Sequence, residues 1–284
     1  MAVRILTDSA SDISQAKAAE WNIKVIPLKV RFGEEEYLDG VTLKPHEFYE
    51  KLIETDTIPK TSQITPFEYE QEFAEAKKAG DQVICFTMSS GVSGCWQSAT
   101  LAASEYEGCA YVVDTRQFCI SEYIIVNRAV ELRDAGKSAE EIVRIIEEEK
   151  KDAHVIAVFD TLEYLRLGGR LSAAAAFTGN LLAIKPVLTI ENGEVFILGK
   201  ARGSKRSGNM LSEAIRRIGG IDFNRPVCIA YAGTDDSLLK KYMHDSAYLY
   251  EGYEDRIQKA EVGSTIGTYS GPGAIAVAFF AKKD

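Results

Sequence analysis

Short apolar runs alternate with capped helical segments through the first half of the chain, and this alternation constrains the fold more than any other feature. Val3–Leu6 is an apolar run followed by the polar Thr7-Asp8-Ser9-Ala10-Ser11-Asp12. Asn22–Val30 contains a second strand-like run with β-branched residues. Thr65-Pro66-Phe67-Glu68 is a capping box with proline at the first helical position, and it opens a helix that Gly80 should stop. Gln82–Met88 then reads as a strand, Cys95–Glu105 as a helix and Ala110–Asp114 as a strand. Ser121–Ala135 is helical up to Gly136, and Ser138-Ala139-Glu140-Glu141 is another capping box, starting a helix to about Lys151. Strands separated by helices in this way predict a mostly parallel sheet covered on both faces.

The second half mixes signals. Val155–Phe159 reads as a strand and Thr161–Leu167 as a short helix stopped by Gly168-Gly169. Lys185–Glu191 and Glu194–Lys200 flank Asn192-Gly193, the preferred pair for a type I′ hairpin. Ser204–Ile218 is an amphipathic helix, Val227–Tyr231 a strand, Asp235–Asp245 a helix, and Ala260–Val262 and Ala274–Ala281 are strands. The expected architecture is therefore α/β in two domains, the N-terminal one mostly parallel and the C-terminal one a mixed sheet. The charged stretch Glu147–Asp152 is the expected boundary, giving domains at 1–152 and 153–284.

Charge and residue counts narrow the function. With 284 residues and a net charge of −9, the chain lacks the overall basicity of a nucleic-acid binder or of a protein docking on anionic lipid. It has three histidines, His46, His154 and His244, so a multi-histidine metal site or a histidine base has few candidates. Cys85, Cys95, Cys109, Cys119 and Cys228 are scattered and form no C-x-x-C pair, which argues against zinc and for reduced thiols in the cytoplasm. Met1–Asp8 carries no signal-peptide pattern, and no apolar run reaches the ~20 residues of a membrane helix.

Four polar segments could carry chemistry. Met88-Ser89-Ser90-Gly91-Val92-Ser93-Gly94-Cys95 lies where a strand should pass into a helix. Its glycines, hydroxyls and helix N-terminus suit an anion, and equally suit a tight turn with a serine cap. Gly91-Val92-Ser93-Gly94-Cys95 differs from the G-x-S-x-G nucleophile elbow by its last residue, so an esterase or thioesterase using Ser93 is an alternative. Pro59–Pro66 is a hydroxyl-rich loop in which capping explains Thr65 but not Thr61 or Ser62. Leu165–Ser172 and Lys200–Arg206 form positive stretches in an acidic chain. Val262–Gly273 is dense in glycine and hydroxyls before a buried strand, which suggests close packing against a ligand or another domain. Neither the dinucleotide fingerprint nor a P-loop is present at the required spacing.

In this order and spacing, Thr7-Asp8-Ser9, Lys60–Gln63, Ser89–Gly94, Leu165–Arg170, Lys185-Pro186-Val187, Arg202 and Gly267–Gly273 resemble the DegV family over essentially the whole chain. These are fatty-acid-binding carrier subunits of bacterial fatty acid kinase. The resemblance implies two α/β domains with one long-chain fatty acid, such as palmitate, between them, and no catalysis by the chain alone. It implies that Thr61, Ser62, Ser93, Gly94, Thr268 and Tyr269 bind the fatty acid, with Thr61 and Ser93 hydrogen-bonding its carboxylate and Gly94 adding a backbone donor. It implies that Arg170 and Arg202 face the phosphorylated head or the kinase, and that no cofactor or metal is needed. Tyr269 stands where the family usually has histidine; a phenol donates a hydrogen bond but carries no positive charge near neutral pH. A carrier of another amphipathic anion, without a kinase, is thus a further alternative. Cys119, Ser121, Glu122 and Tyr123 also depart from the small residues usual after Asp114-Thr115, so the acyl tunnel is expected to be reshaped.

Overall fold

The first apolar run forms strand β1 (Val3–Asp8), and it is buried on both faces because Ile5 and Leu6 point to opposite sides. In the computed structural model, which describes residues 2–55, 57–171 and 184–283, β1 is central to a parallel sheet with β2 (Lys24–Ile26), β6 (Gln82–Thr87) and β7 (Ala110–Asp114), in the order β2-β1-β6-β7. Helices α3 (Pro66–Ala79) and α4 (Cys95–Ala103) cover one face through Tyr69, Phe73, Cys95 and Ala99. Helices α5 (Ile120–Asp134) and α6 (Ala139–Glu149) cover the other. Both expected capping boxes are formed: Thr65 and Glu68 close α3, and Ser138 and Glu141 close α6. Gly80 ends α3 in the left-handed conformation at φ 71°, as a helix stop should.

A second sheet has the order β10-β9-β8-β13-β11-β12. Its strands are β8 (Ala153–Val158), β9 (Ile184–Glu191), β10 (Glu194–Arg202), β11 (Val227–Ala232), β12 (Ile257–Glu261) and β13 (Ala274–Phe280). It is mixed: β11 and β12 run parallel, and the other neighbours are antiparallel. The β9–β10 turn has positive φ at both Asn192 and Gly193, as a type I′ hairpin requires. Along β13 the side chains divide cleanly. Ile275, Val277 and Phe279 face α8 (Ser204–Arg217) and α9 (Ser237–Asp245), whereas Ala274, Ala276, Ala278 and Phe280 face α5. Helix α5 therefore lies between the two sheets and is buried nearly all round, from Ile120 to Leu132.

The strand-like run expected within Asn22–Val30 forms β2 and the start of a further strand. Pro27 follows β2, and the chain resumes pairing only at β3 (Lys29–Phe32). Proline has no N–H to give a ladder, so the two halves separate into different sheets. Strand β3 joins β4 (Glu35–Leu38) and β5 (Lys60–Ser62) in an antiparallel sheet of order β4-β3-β5. Helices α1 (Gln15–Glu20) and α2 (Pro45–Glu54) complete this half, and α7 (Glu163–Leu167) follows β8. The stretch Glu147–Asp152 lies at the end of α6 and in the turn leading into β8.

The glycine- and hydroxyl-rich stretch 262–273 contains a short helix, α10 (Ser264–Ser270), which crosses back onto the first half and contacts α2, β3 and β5. A Cβ on Gly267 would lie 2.5 Å from Phe48 Cε1 and 2.8 Å from the Tyr49 hydroxyl, so only glycine permits this approach. The expected close packing is thus with the protein's own aromatic residues on α2.

Candidate functional site

The site forms where the carboxyl edge of the parallel sheet meets α10, α7 and the second sheet. From β6 the chain turns through Met88–Gly94 into α4, and its three serines have different tasks. Ser89 is fully buried and donates 2.7 Å to the Gly193 carbonyl at the β9–β10 turn. Ser90 donates 2.6 Å to Asp114 Oδ2. Ser93 lines the cavity; its hydroxyl accepts from the Cys95 N–H at 3.3 Å and sits 3.2 Å from the Cys95 thiol. Gly94 is the N-cap of α4 and also lines the cavity. A Cβ there would collide with the Gln63 carboxamide, so glycine is required for Gln63 to lie over the helix start. Gln63 itself donates 3.1 Å to Ser98 Oγ.

Strand alternation decides what the β5 residues do. Thr61 points inward to the cavity, whereas Ser62 is exposed and is not among the lining residues. The Thr61 hydroxyl and the Tyr269 phenol share a hydrogen bond of 2.6 Å. The Arg170 guanidinium lies 5.1 Å from the Tyr269 ring centre and donates 2.9 Å to the Gly168 carbonyl. Thr61, Ser93, Gly94, Tyr269 and Arg170 thus all line one cavity. Thr268 is buried on the other side of α10 and donates 2.8 Å to the Ser264 carbonyl. Arg202 ends β10, exposed and away from the lining. Ser172 lies outside the described residues.

The cavity has a volume of about 200 Å³, and Leu28, Met88, Val92 and Leu165 also line it. It adjoins a second space of about 60 Å³, and Phe118, Phe159, Val195, Ile266 and Ser270 border both. The second space is walled by Ala157, Ala274 and Ala276 of the mixed sheet and by Cys119 and Ile120 at the start of α5. Small side chains on the α5-facing side of β8 and β13 leave that room. Of the positions expected to reshape it, Cys119 is on the wall. Ser121, Glu122 and Tyr123 are buried elsewhere: Glu122 accepts 3.1 Å from Thr7, and Tyr123 packs edge-on to Trp21.

None of the three histidines lines the cavity. His46 is exposed beside Glu50, His244 is exposed beside Asp245, and His154 lies against Phe279, where burial lowers its pKa. Ser93 therefore has no imidazole within its site to act as general base. Among the described residues no group of three or more histidine, cysteine or acidic side chains is arranged to hold a metal, and no helix is long and apolar enough to cross a membrane.

Sequence reasoning missed a buried set of aspartates that holds these pieces together. Asp8 accepts from Ala10 N at 3.0 Å and from Met88 N at 2.8 Å, tying β1 to the loop after β6. Asp12, at φ 57°, accepts 2.8 Å from Gly263 N. Asp39 accepts from Ser264 N at 2.9 Å, Ser264 Oγ at 2.6 Å and Thr265 N at 3.2 Å. Asp12 and Asp39 thus cap α10 across the whole sequence, and α10 carries Tyr269 to Thr61. The signal available was only that Thr7-Asp8-Ser9 follows a strand.

Burial is the main reason the Asp8 pKa is pushed up to about 7; the two N–H donors oppose the shift and Asp39 adds to it. A folded value above the unfolded one means the native state keeps a proton the unfolded chain has lost. This contribution is full below the ordinary aspartate value and is lost as pH rises through about 7. Urea unfolding of wild type and Asp8→Asn should therefore diverge with pH. The wild type loses up to about 1.4 kcal/mol per pH unit relative to the variant inside that window. A difference that stays flat from pH about 5 to about 7.5 would contradict this.

The family model described as "Uncharacterised protein, DegV family" matches residues 2–282. A DegV domain-containing protein of Deinococcus radiodurans is 35% identical over 282 residues, covering 98% of each chain. A solved structure of a DegV family protein from Thermus thermophilus, described for its fatty acid binding, superposes with a TM-score of 0.88 at 32% identity, covering 99% of this chain and 100% of that one. DegV of Bacillus subtilis, described as a fatty acid binding protein, superposes with a TM-score of 0.84 at 30% identity, covering 99% and 100%.

Proposed function

The chain belongs to the DegV family, and on that premise we propose that it binds one long-chain fatty acid in this cavity and presents the carboxylate to an ATP-dependent kinase for acyl-phosphate formation. The observation that carries the reading is the cavity's polarity. Thr61, Ser93, Gly94 and Tyr269 line one cavity, with Thr61 bonded to Tyr269, and an almost wholly apolar space adjoins it. Hydroxyls and the start of α4 suit a carboxylate, and Arg170 adds positive charge beside it. Burying methylenes at ~0.8 kcal/mol each makes the tail the main source of affinity, and the head contacts fix orientation. In this reading the chain does no chemistry alone. Five unpaired cysteines suit a cytoplasmic carrier.

Native mass spectrometry of gently purified protein is expected to show one bound fatty acid. The double variant Thr61→Ala, Ser93→Ala is expected to bind palmitate at least about tenfold more weakly, because it removes two hydroxyls that meet a charged head. A protein with no lipid mass and no uptake of added palmitate or oleate would sink the proposal; unchanged affinity of the double variant would sink the head assignment. One observation favours a carrier without a kinase: Tyr269 supplies a neutral phenol at the head. Incubation with ATP and a bacterial fatty acid kinase, trapping acyl phosphate as hydroxamate, separates the two readings.

A further inference from the structure

Helix α7 is followed by two glycines that the structure uses differently. Gly169 has a φ of 69°, the left-handed conformation of a helix stop, and a Cβ there would meet nothing within 4 Å. Gly168 keeps ordinary helical geometry, at φ −76° and ψ −8°, and alanine would suit that backbone. Its lack of a side chain answers a different need. A Cβ on Gly168 would lie 2.5 Å from Cδ1 and 2.6 Å from Cε1 of Tyr269. The Tyr164 carbonyl is 3.1 Å from the same point and is fixed backbone, so the Tyr269 ring would have to give way. The contact is reciprocal: a Cβ on Gly271 would run into the Tyr164 ring. Each of the two rings thus rests on the glycine that caps the other helix.

The place of the Tyr269 ring matters because its hydroxyl is bonded to Thr61 at 2.6 Å, and both residues line the larger cavity. The Gly168 carbonyl also holds the Arg170 guanidinium, which lies 5.1 Å from the ring centre. We propose that Gly168 is a positioning residue of the fatty-acid site: its missing side chain gives the Tyr269 ring the place from which the phenol reaches Thr61 and the carboxylate. This rests on the binding mode proposed above. An added methyl group turns the ring aside, so its cost to binding is the cost of losing the Tyr269 hydroxyl and no more.

The test measures palmitate affinity by displacement of a fluorescent fatty acid from the delipidated full chain, with the melting temperature recorded for each variant. Gly168→Ala and Tyr269→Phe are each expected to bind palmitate about tenfold more weakly, because each takes one donor from a charged head. Their combination is expected to match Tyr269→Phe alone within about twofold, since a ring without a hydroxyl has no head contact left to lose. Gly169→Ala should lower the melting temperature and leave affinity within about twofold of wild type. Gly168→Ala binding as well as wild type overturns the proposal. So does a further loss in the combined variant, which would mean that α10 itself had shifted. An equal loss from Gly169→Ala overturns it too, because any disturbance of the turn would then suffice. If Gly168→Ala does not fold, adding Tyr269→Ala must restore folding; a pair that stays unfolded overturns the proposal. Failure of wild type to take up palmitate overturns the fatty-acid reading itself, whereas an unaffected Tyr269→Phe removes only that hydroxyl from the head site, and the task of Gly168 with it.

Discussion

Ala276→Leu is expected to abolish most long-chain binding while leaving a short acid such as octanoate nearly unaffected. Ala276 is at the centre of the α5-facing side of the mixed sheet, in register with Ala157 of β8 and Ala230 of β11. It walls the apolar space of about 60 Å³, which three added carbons would largely fill. If the far end of the acyl chain lies there, excluding about four methylenes at ~0.8 kcal/mol each costs about 3 kcal/mol, more than a hundredfold in affinity. Enlarging a residue in a packed layer itself costs about 1–3 kcal/mol of stability, so the melting temperature must be recorded beside the affinity. Ala157→Leu enters the same space from the neighbouring strand and should give the same selective loss. Palmitate affinity within a factor of about two of wild type, in a folded Ala276→Leu protein, would show that the tail runs elsewhere.

Asp39→Ala is expected to be among the most destabilising single substitutions in the chain. Asp39 is 2% exposed, and its two oxygens accept three hydrogen bonds from Ser264 and Thr265. Removing them strands three donors in a dry site, and at about 1–3 kcal/mol for each unmet group the loss is about 4 kcal/mol. For a chain of this size that is a drop in melting temperature of roughly 10 °C. Asp39→Asn retains one carbonyl acceptor but turns an amide toward a backbone N–H, so its effect should be intermediate. Fatty-acid affinity should fall with stability, because α10 carries Thr265, Ile266, Tyr269 and Ser270 onto the cavity. Thermal unfolding of the two variants checks the order. An Asp39→Ala protein melting within about 2 °C of wild type would show that α10 is held without Asp39.

Local signals made much of the fold legible. The boxes Thr65/Glu68 and Ser138/Glu141 close within one helical turn, and the Asn192-Gly193 turn needs only two positive φ values. The two faces of β13 were present as the alternation of Ala274, Ala276 and Ala278 with Ile275, Val277 and Phe279. What alternation could not say is which face would meet α5 and which α8. The break at Pro27 was visible as a residue, but apolar residues on both sides of it masked the change of sheet.

For the site, the segments bearing Thr61, Ser93 and Gly94 could be named from sequence because each leads into a helix whose start is recognisable, although the one bearing Thr61 reads as a loop and forms strand β5. Residue type alone did not separate Thr61 from Ser62 or Tyr269 from Thr268; the pleat of β5 and the rotation of α10 do. Seven residues with a glycine among them and no side-chain cap of their own give α10 little intrinsic helical stability. Its cap is supplied by Asp39, 225 residues away, and its phenol meets Thr61 across 208 residues. The sequence by itself determined most strands of the two larger sheets, the helices closed by the two capping boxes, and the polar segments, because those depend on interactions within a few residues. Only the tertiary structure decided which polar groups share one cavity, because that depends on buried hydrogen bonds between segments that are adjacent only once the chain is folded.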